Sequence, residues 1–180
     1  MQFIKYPSLT NHYIARRQKF INFDDDYVST EKIHGSNVSI MVDNENNIEI
    51  SKRTAILTED ERTQKPWNTL AQFVIEQKEL IVSWSDSVRN LANEYVYGDI
   101  EQINFYGELY GDIYDESYCS TVQKMPYQAT LNNTRQVRFF DIHVIFEGGQ
   151  RLALSQDKMS SILGNLPLLV RTLPKRFGCH

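Results

Sequence analysis

The apolar residues of this chain change period twice along its length, and that restricts the folds open to it. From Tyr27 to Ile50 the pattern is β: Val38, Ile40 and Val42 alternate with Asn37, Ser39 and Met41, and after "DNENN" Ile48 and Ile50 alternate again. This predicts a hairpin with one buried face, whose first strand begins within "KIHGSN" and whose second ends at "SKRT". From Pro66 to about Val96 the spacing becomes three and four, through Trp67, Leu70 and Val74 and then Ile81, Trp84, Val88, Leu91 and Tyr95. Pro66 suits a first helical turn, and "SWSDS" is where a second helix would be capped or the pair broken. The aromatic rings at these spacings belong to a core rather than to a ligand platform. Strands return in "INFYGELYG" (103–111) and "QVRFFDIHVIF" (136–146). After them come a turn at "EGGQ", a short strand "RLAL" and a short helix "SQDKMSSILG" with Ser155 as N-cap and Gly164 as C-cap. Strands, a helix pair and more strands predict an α+β fold with mainly antiparallel sheets and flanking helices.

With 180 residues, no internal repeat and no Gly/Ser/Pro linker, residues 1–180 read as a single domain. Its 41% hydrophobic content suffices for a core. The 10 tyrosines and 9 phenylalanines can pack that core and also stack on bases. The two cysteines, Cys119 and Cys179, lie too far apart in sequence to suggest a disulfide framework or a zinc site, so a reducing, cytoplasmic setting is expected. "MQFIKYPSLT" lacks the apolar run of a signal peptide, and no stretch approaches membrane-spanning length. The net charge of −4 argues against a general nucleic-acid coat but leaves room for a local basic path through "SKRT" (51–54). "IARRQK" (14–19) and "PKRF" (174–177) read as solvated surface, and Asp24, Asp25 and Asp26 as a turn.

The candidate for chemistry is Lys32 in "STEKIHGSN" (29–37). A free lysine has a pKa of about 10.4 and is almost wholly protonated near neutrality, so it attacks nothing until burial or nearby cations lower that value. His34, Ser36 and Asn37 are short donors, and Gly35 would let the backbone approach a ligand closely. This company suits a phosphorylated ligand over Lys32. A surface lysine at a strand end before a tight turn is the other reading, and the residues alone leave both open.

"EKIHGSN" resembles motif I of the covalent nucleotidyltransferases, in the form found in the bacteriophage RNA ligase 2 family, to which the trypanosome RNA-editing ligases are related. Further segments follow in the family's order. "FIKYPSLTNHY" is similar to its N-terminal lead-in, "SKRTAIL" to motif Ia, "FYGELYG" to motif III, "RFFDIHV" to motif IIIa, and "LPLLVR" to a later Pro-Leu-Leu segment. The resemblance spans nearly the whole chain and implies a nucleotidyltransferase (ligase adenylation) fold. It implies ATP and Mg²⁺ as cofactors, Lys32 as the nucleophile that accepts AMP, and RNA ends as partners, in a nicked duplex or single-stranded. It further implies that Arg53 contacts the nucleotide and phosphates, that Glu108 accepts from the ribose hydroxyls and that Phe140 stacks on adenine, with Asp141 following. Glu31 would accept from the adenine amino group, and Ile33, His34 and Asn37 would line the nucleotide site.

The chain departs from the family in two motifs. No K-x-K of motif V occurs, and "FEGGQR" (146–151) carries Gly-Gln where motif IV needs an apolar strand and follows motif IIIa too soon. The expectation is therefore an adenylyltransferase domain represented by its N-terminal part, incomplete at the C-terminus, sealing RNA poorly alone. Self-association or a separate C-terminal fragment would cover the sheet edge. A catalytically incomplete nucleotide- or RNA-end-binding relative is the alternative. A DNA ligase or capping guanylyltransferase fits the His-Gly-Ser-Asn run less well. A viral origin would place the protein in the host cytoplasm.

Overall fold

The computed structural model describes residues 1–7, 33, 35–93, 98–110 and 136–164. Among them, six strands form one antiparallel sheet: β1 (Ser36–Asp43), β2 (Ile48–Lys52), β3 (Ala55–Ile56), β4 (Ile100–Tyr110), β5 (Gln136–Phe146) and β6 (Arg151–Ala153), in the order β3-β2-β1-β4-β5-β6. Four helices accompany it: α1 (Glu59–Thr63), α2 (Trp67–Glu76), α3 (Lys78–Ala92) and α4 (Gln156–Leu163). The fold is α+β, as the changes of period predict.

Alternation along the strands gives the sheet two unlike faces. Val38, Ile40, Val42, Ile50, Ile103, Phe105, Leu109, Val137 and Phe139 pack into one core with Leu70 of α2, Ile81, Trp84, Val88 and Ala92 of α3, and Met159 and Leu163 of α4. The Trp84 ring lies 6.0 Å from Phe105 and 5.9 Å from Phe139, at its centre. Burying each such side chain contributes roughly 1.5–3 kcal/mol.

The helix pair divides where the sequence carries no breaker. Ser83–Ser87, "SWSDS", sits inside α3 and neither caps nor breaks it. Ser85 and Ser87 turn their hydroxyls back onto the carbonyls of Ile81 and Ser83, each at 2.9 Å, so their competing hydrogen bonds are absorbed within the helix. The junction is Gln77, whose N–H closes α2 on the Phe73 carbonyl while its own carbonyl accepts from Ile81 N. Ser155 holds the N-cap position of α4 without a side-chain capping bond, and Gly164 ends it at φ 64°. α1 begins at a capping box, Thr58 with Glu61, legible as T-x-x-E.

The second face carries Asn37, Ser39 and Met41 of β1, Gln102, Asn104, Tyr106 and Glu108 of β4, and Asp141 and His143 of β5. The N-terminal residues lie across part of it. Gln2 N donates to Gln102 Oε1 at 2.9 Å, and Gln102 Nε2 donates to the Gln2 carbonyl at 3.0 Å. The line continues from Gln102 Nε2 to Asn104 Oδ1 (2.6 Å), from Asn104 Nδ2 to the Tyr106 hydroxyl (2.9 Å), and from that hydroxyl to the Ile4 carbonyl (3.0 Å). Buried polar groups are tolerated when each finds a partner, and these do.

Candidate active site

Because each neighbouring pair of strands is antiparallel, the start of β1, the end of β2, the end of β4 and the start of β5 share one end of the sheet. Register sets the side chains there in rows. Asn37 pairs with Glu108, and Glu108 with Arg138; the next row on the same face is Ser39, Tyr106 and Asp141. Arg53 follows the last residue of β2 in the tight turn to β3 and is exposed. It makes no hydrogen bond or ion pair among the described residues, whereas its neighbour Lys52 is held by Glu61 of α1.

The backbone entering this end is locked onto β4. A Cβ on Gly35 would stand 2.2 Å from the Leu109 carbonyl oxygen, so only glycine permits this approach. Gly35 N–H donates to Glu108 Oε1 at 2.9 Å. Gly35 thus fits closely against β4. Glu108 is half-buried, with one oxygen on this amide.

Phe140 owes its position to a β-bulge. Tyr106 pairs with Asp141 and Gly107 with Phe139, leaving Phe140 as the extra residue between them. Phe139 is fully buried in the helix-side core, whereas Phe140 is half-buried and lies outside that core. Its ring meets the Tyr6 ring edge-on, 5.0 Å between centroids at 77°. At the bulge Gly107 carries no Cβ, which would otherwise fall 2.8 Å from the Arg138 carbonyl and 3.1 Å from the Phe139 ring.

Asp141 gathers three donors: Tyr6 OH and His143 Nε2, both 3.0 Å from Oδ2, and Ile142 N, 2.9 Å from Oδ1. Burial, then the Asp141 charge, pushes the Tyr6 hydroxyl well above its ordinary value, so it remains a donor. Burial also pushes the Tyr106 hydroxyl up. Arg138 Nε donates to the Tyr110 hydroxyl at 2.8 Å, beside the Asn37–Glu108 row.

The structure therefore brings Asn37, Glu108 and Phe140 to one end of the sheet, with Arg53 in the adjoining turn. Ile33 is half-buried in irregular chain before β1. Glu31, Lys32 and His34 lie outside the described residues. Tyr6 and His143 were not picked out from sequence, although a signal existed. The apolar parity in "QVRFFDIHVIF" passes from Val137 and Phe139 to Ile142, Val144 and Phe146, an odd step that an unbroken strand cannot make without putting Asp141 in the core.

A family model described as RNA ligase matches residues 25–178, spanning all six strands. The chain belongs to the RNA ligase family. No curated protein sequence matches it. In this member of the RNA ligase family, Asn37, Arg53, Glu108 and Phe140 lie within the matched span, while the segment carrying Tyr6 lies outside it. Among the described residues there is no group of three or more His, Cys, Asp or Glu side chains that could hold a metal ion. None of the described helices is long and apolar enough to cross a membrane.

Proposed function

We propose that this RNA ligase family member is ATP-dependent and joins 5′-phosphate and 3′-hydroxyl RNA ends, nicked or single-stranded, through AMP held covalently on Lys32. Residues 1–180 contribute to its adenylyltransferase domain, in the cytoplasm. The observation that carries this reading is the bulge at Phe140, which turns a phenyl ring out of the core at the end of the sheet where Glu108 and Asn37 stand in register. A ring there offers a base a flat apolar face, and a carboxylate beside it accepts from ribose hydroxyls, which favours a ribonucleotide. In the sequence Lys32 stands three positions before Gly35. Glu31 would accept from the adenine amino group, Ile33 and His34 would flank the nucleotide, and Arg53 would meet its phosphates.

In the first step the neutral Lys32 Nζ attacks the α-phosphorus of ATP. A P–N bond forms, the bond from that phosphorus to the bridging oxygen breaks, pyrophosphate leaves with the electron pair, and the ammonium proton passes to solvent. AMP then moves to the RNA 5′-phosphate, and the 3′-hydroxyl of the other end displaces it. Alignment and charge stabilisation around in-line phosphorus supply most of the rate.

The test is the intact mass of the protein after incubation with ATP and Mg²⁺, beside Lys32→Ala. A gain of one adenylate, absent from the variant, establishes the nucleophile. A folded protein that gains none is instead a nucleotide- or RNA-end-binding relative.

A further inference from the structure

We infer that His143 is a positioning residue for the nucleotide base: it holds the Phe140 ring in its stacking position through Asp141 and Tyr6. This rests on the placement of the base at Phe140 proposed above. Among the described residues the His143 ring packs against aromatic neighbours, Tyr106 at 5.0 Å edge-on and Tyr6 at 5.8 Å. Its Nε2 meets Asp141 Oδ2 at 3.0 Å. A carboxylate only accepts, so Nε2 carries the proton of this hydrogen bond.

Two donors from distant parts of the chain thus converge on one oxygen, His143 from two residues along β5 and Tyr6 from 135 positions away. The other oxygen is held by the backbone N–H of Ile142. A carboxylate so gripped cannot swing, and it belongs to the residue next to the bulge. What it fixes is twofold. It holds the backbone that turns Phe140 outward, and it anchors Tyr6, whose ring edge backs the Phe140 ring at 5.0 Å. Removing His143 leaves the carboxylate with one lateral donor instead of two, and both supports of the Phe140 ring loosen together.

The consequence is selective. Stacking on the base weakens, while groups that bind the phosphates are untouched. The experiment compares wild type, His143→Leu and His143→Gln, the last keeping an amide donor near Nε2. ATP affinity is read by equilibrium dialysis, competition by inorganic tripolyphosphate is read on the same samples, and adenylate yield is read by intact mass. Loss of a hydrogen bond to a charged group predicts about tenfold weaker ATP binding in His143→Leu. Tripolyphosphate, which has no base, should bind both proteins equally, and His143→Gln should recover most of the ATP affinity. If His143→Leu does not fold, Tyr6→Phe removes the other donor to the same oxygen while keeping the ring, and the same split is expected.

ATP affinity unchanged in His143→Leu, or ATP and tripolyphosphate weakened alike, overturns the inference even where adenylate still forms. Selective weakening of ATP without any adenylate in wild type upholds it and instead removes the covalent reading of Lys32. A wild type that binds no ATP overturns both.

Discussion

Two adjacent phenylalanines show how finely position decides the role of a residue. Phe139 lies in the core against Phe105, 6.2 Å away, and Phe140, one residue on, faces the other side. Phe139→Ala should therefore cost about 3–5 kcal/mol of stability, read as a lower urea midpoint. Phe140→Ala should cost far less stability and weaken ATP binding by about 5- to 150-fold, the range of a lost stacking contact. Equal effects of the two substitutions on ATP binding would contradict the division of faces. Glu108 and Phe140 stood out as motif residues because they sit in short, recognisable strings, and the register and bulge place them at one end of the sheet. The hydrogen bonds of Tyr6 and His143 to Asp141 were not legible, because pattern hints at the bulge in β5 but not at which side chains meet beside it.

At the scale of elements, strands declared themselves by alternation and helices by spacing, and both were placed close to where they form. What failed was the division between α2 and α3, since Gln77 is neither glycine nor proline and "SWSDS" mimics a cap that α3 internalises. The β1–β2 turn, in contrast, was plain in "DNENN", and its chemistry yields a pH prediction. Burial pulls the Asp43 carboxyl up, but hydrogen bonds from the Asn47 side chain and backbone and from the Glu45 amide outweigh it, so the group sits below the usual carboxylate range. Its folded pKa lies below its unfolded value of about 3.9. The stabilisation is therefore complete above that value and lost as pH falls through the folded one. Between pH 6 and pH 3, Asp43→Asn should lose less of its thermal midpoint than wild type does. A drop as large in the variant would show that this turn does not contribute to the acid limb. Asn46, in the same turn, takes φ 63°, which asparagine tolerates, and Arg89 of α3 clamps it by bonding Asn46 Oδ1 and the Asp43 carbonyl.

Across the whole molecule, the helix side of the sheet follows from composition and pattern, whereas the other face is held by a line of polar side chains that pattern alone disguises. Gln102 and Asn104 are polar side chains on alternate positions of β4, yet they are 2% and 0% exposed because the first residues of the chain lie over them. That contact joins Ile4 to Tyr106 across 102 positions, beyond any local signal. Tyr106→Phe would strip the partner from the Ile4 carbonyl and from Asn104 Nδ2 at once. It should destabilise by about 1–3 kcal/mol at an unchanged denaturant slope. A neutral result would mean that water replaces the hydroxyl there.

The pairing of β1 with β4 and of β4 with β5 also sets a timetable. Gly35 and Glu108 are 73 positions apart, and the Phe140 ring turns outward only once β5 has closed on β4. Non-local pairings of this kind close late. If a base rests on Phe140 as proposed, a chain still emerging from the ribosome, with β1 made and β5 yet to come, would lack that platform. On that reading, nucleotide capture would wait until β5 has been made and has closed on β4.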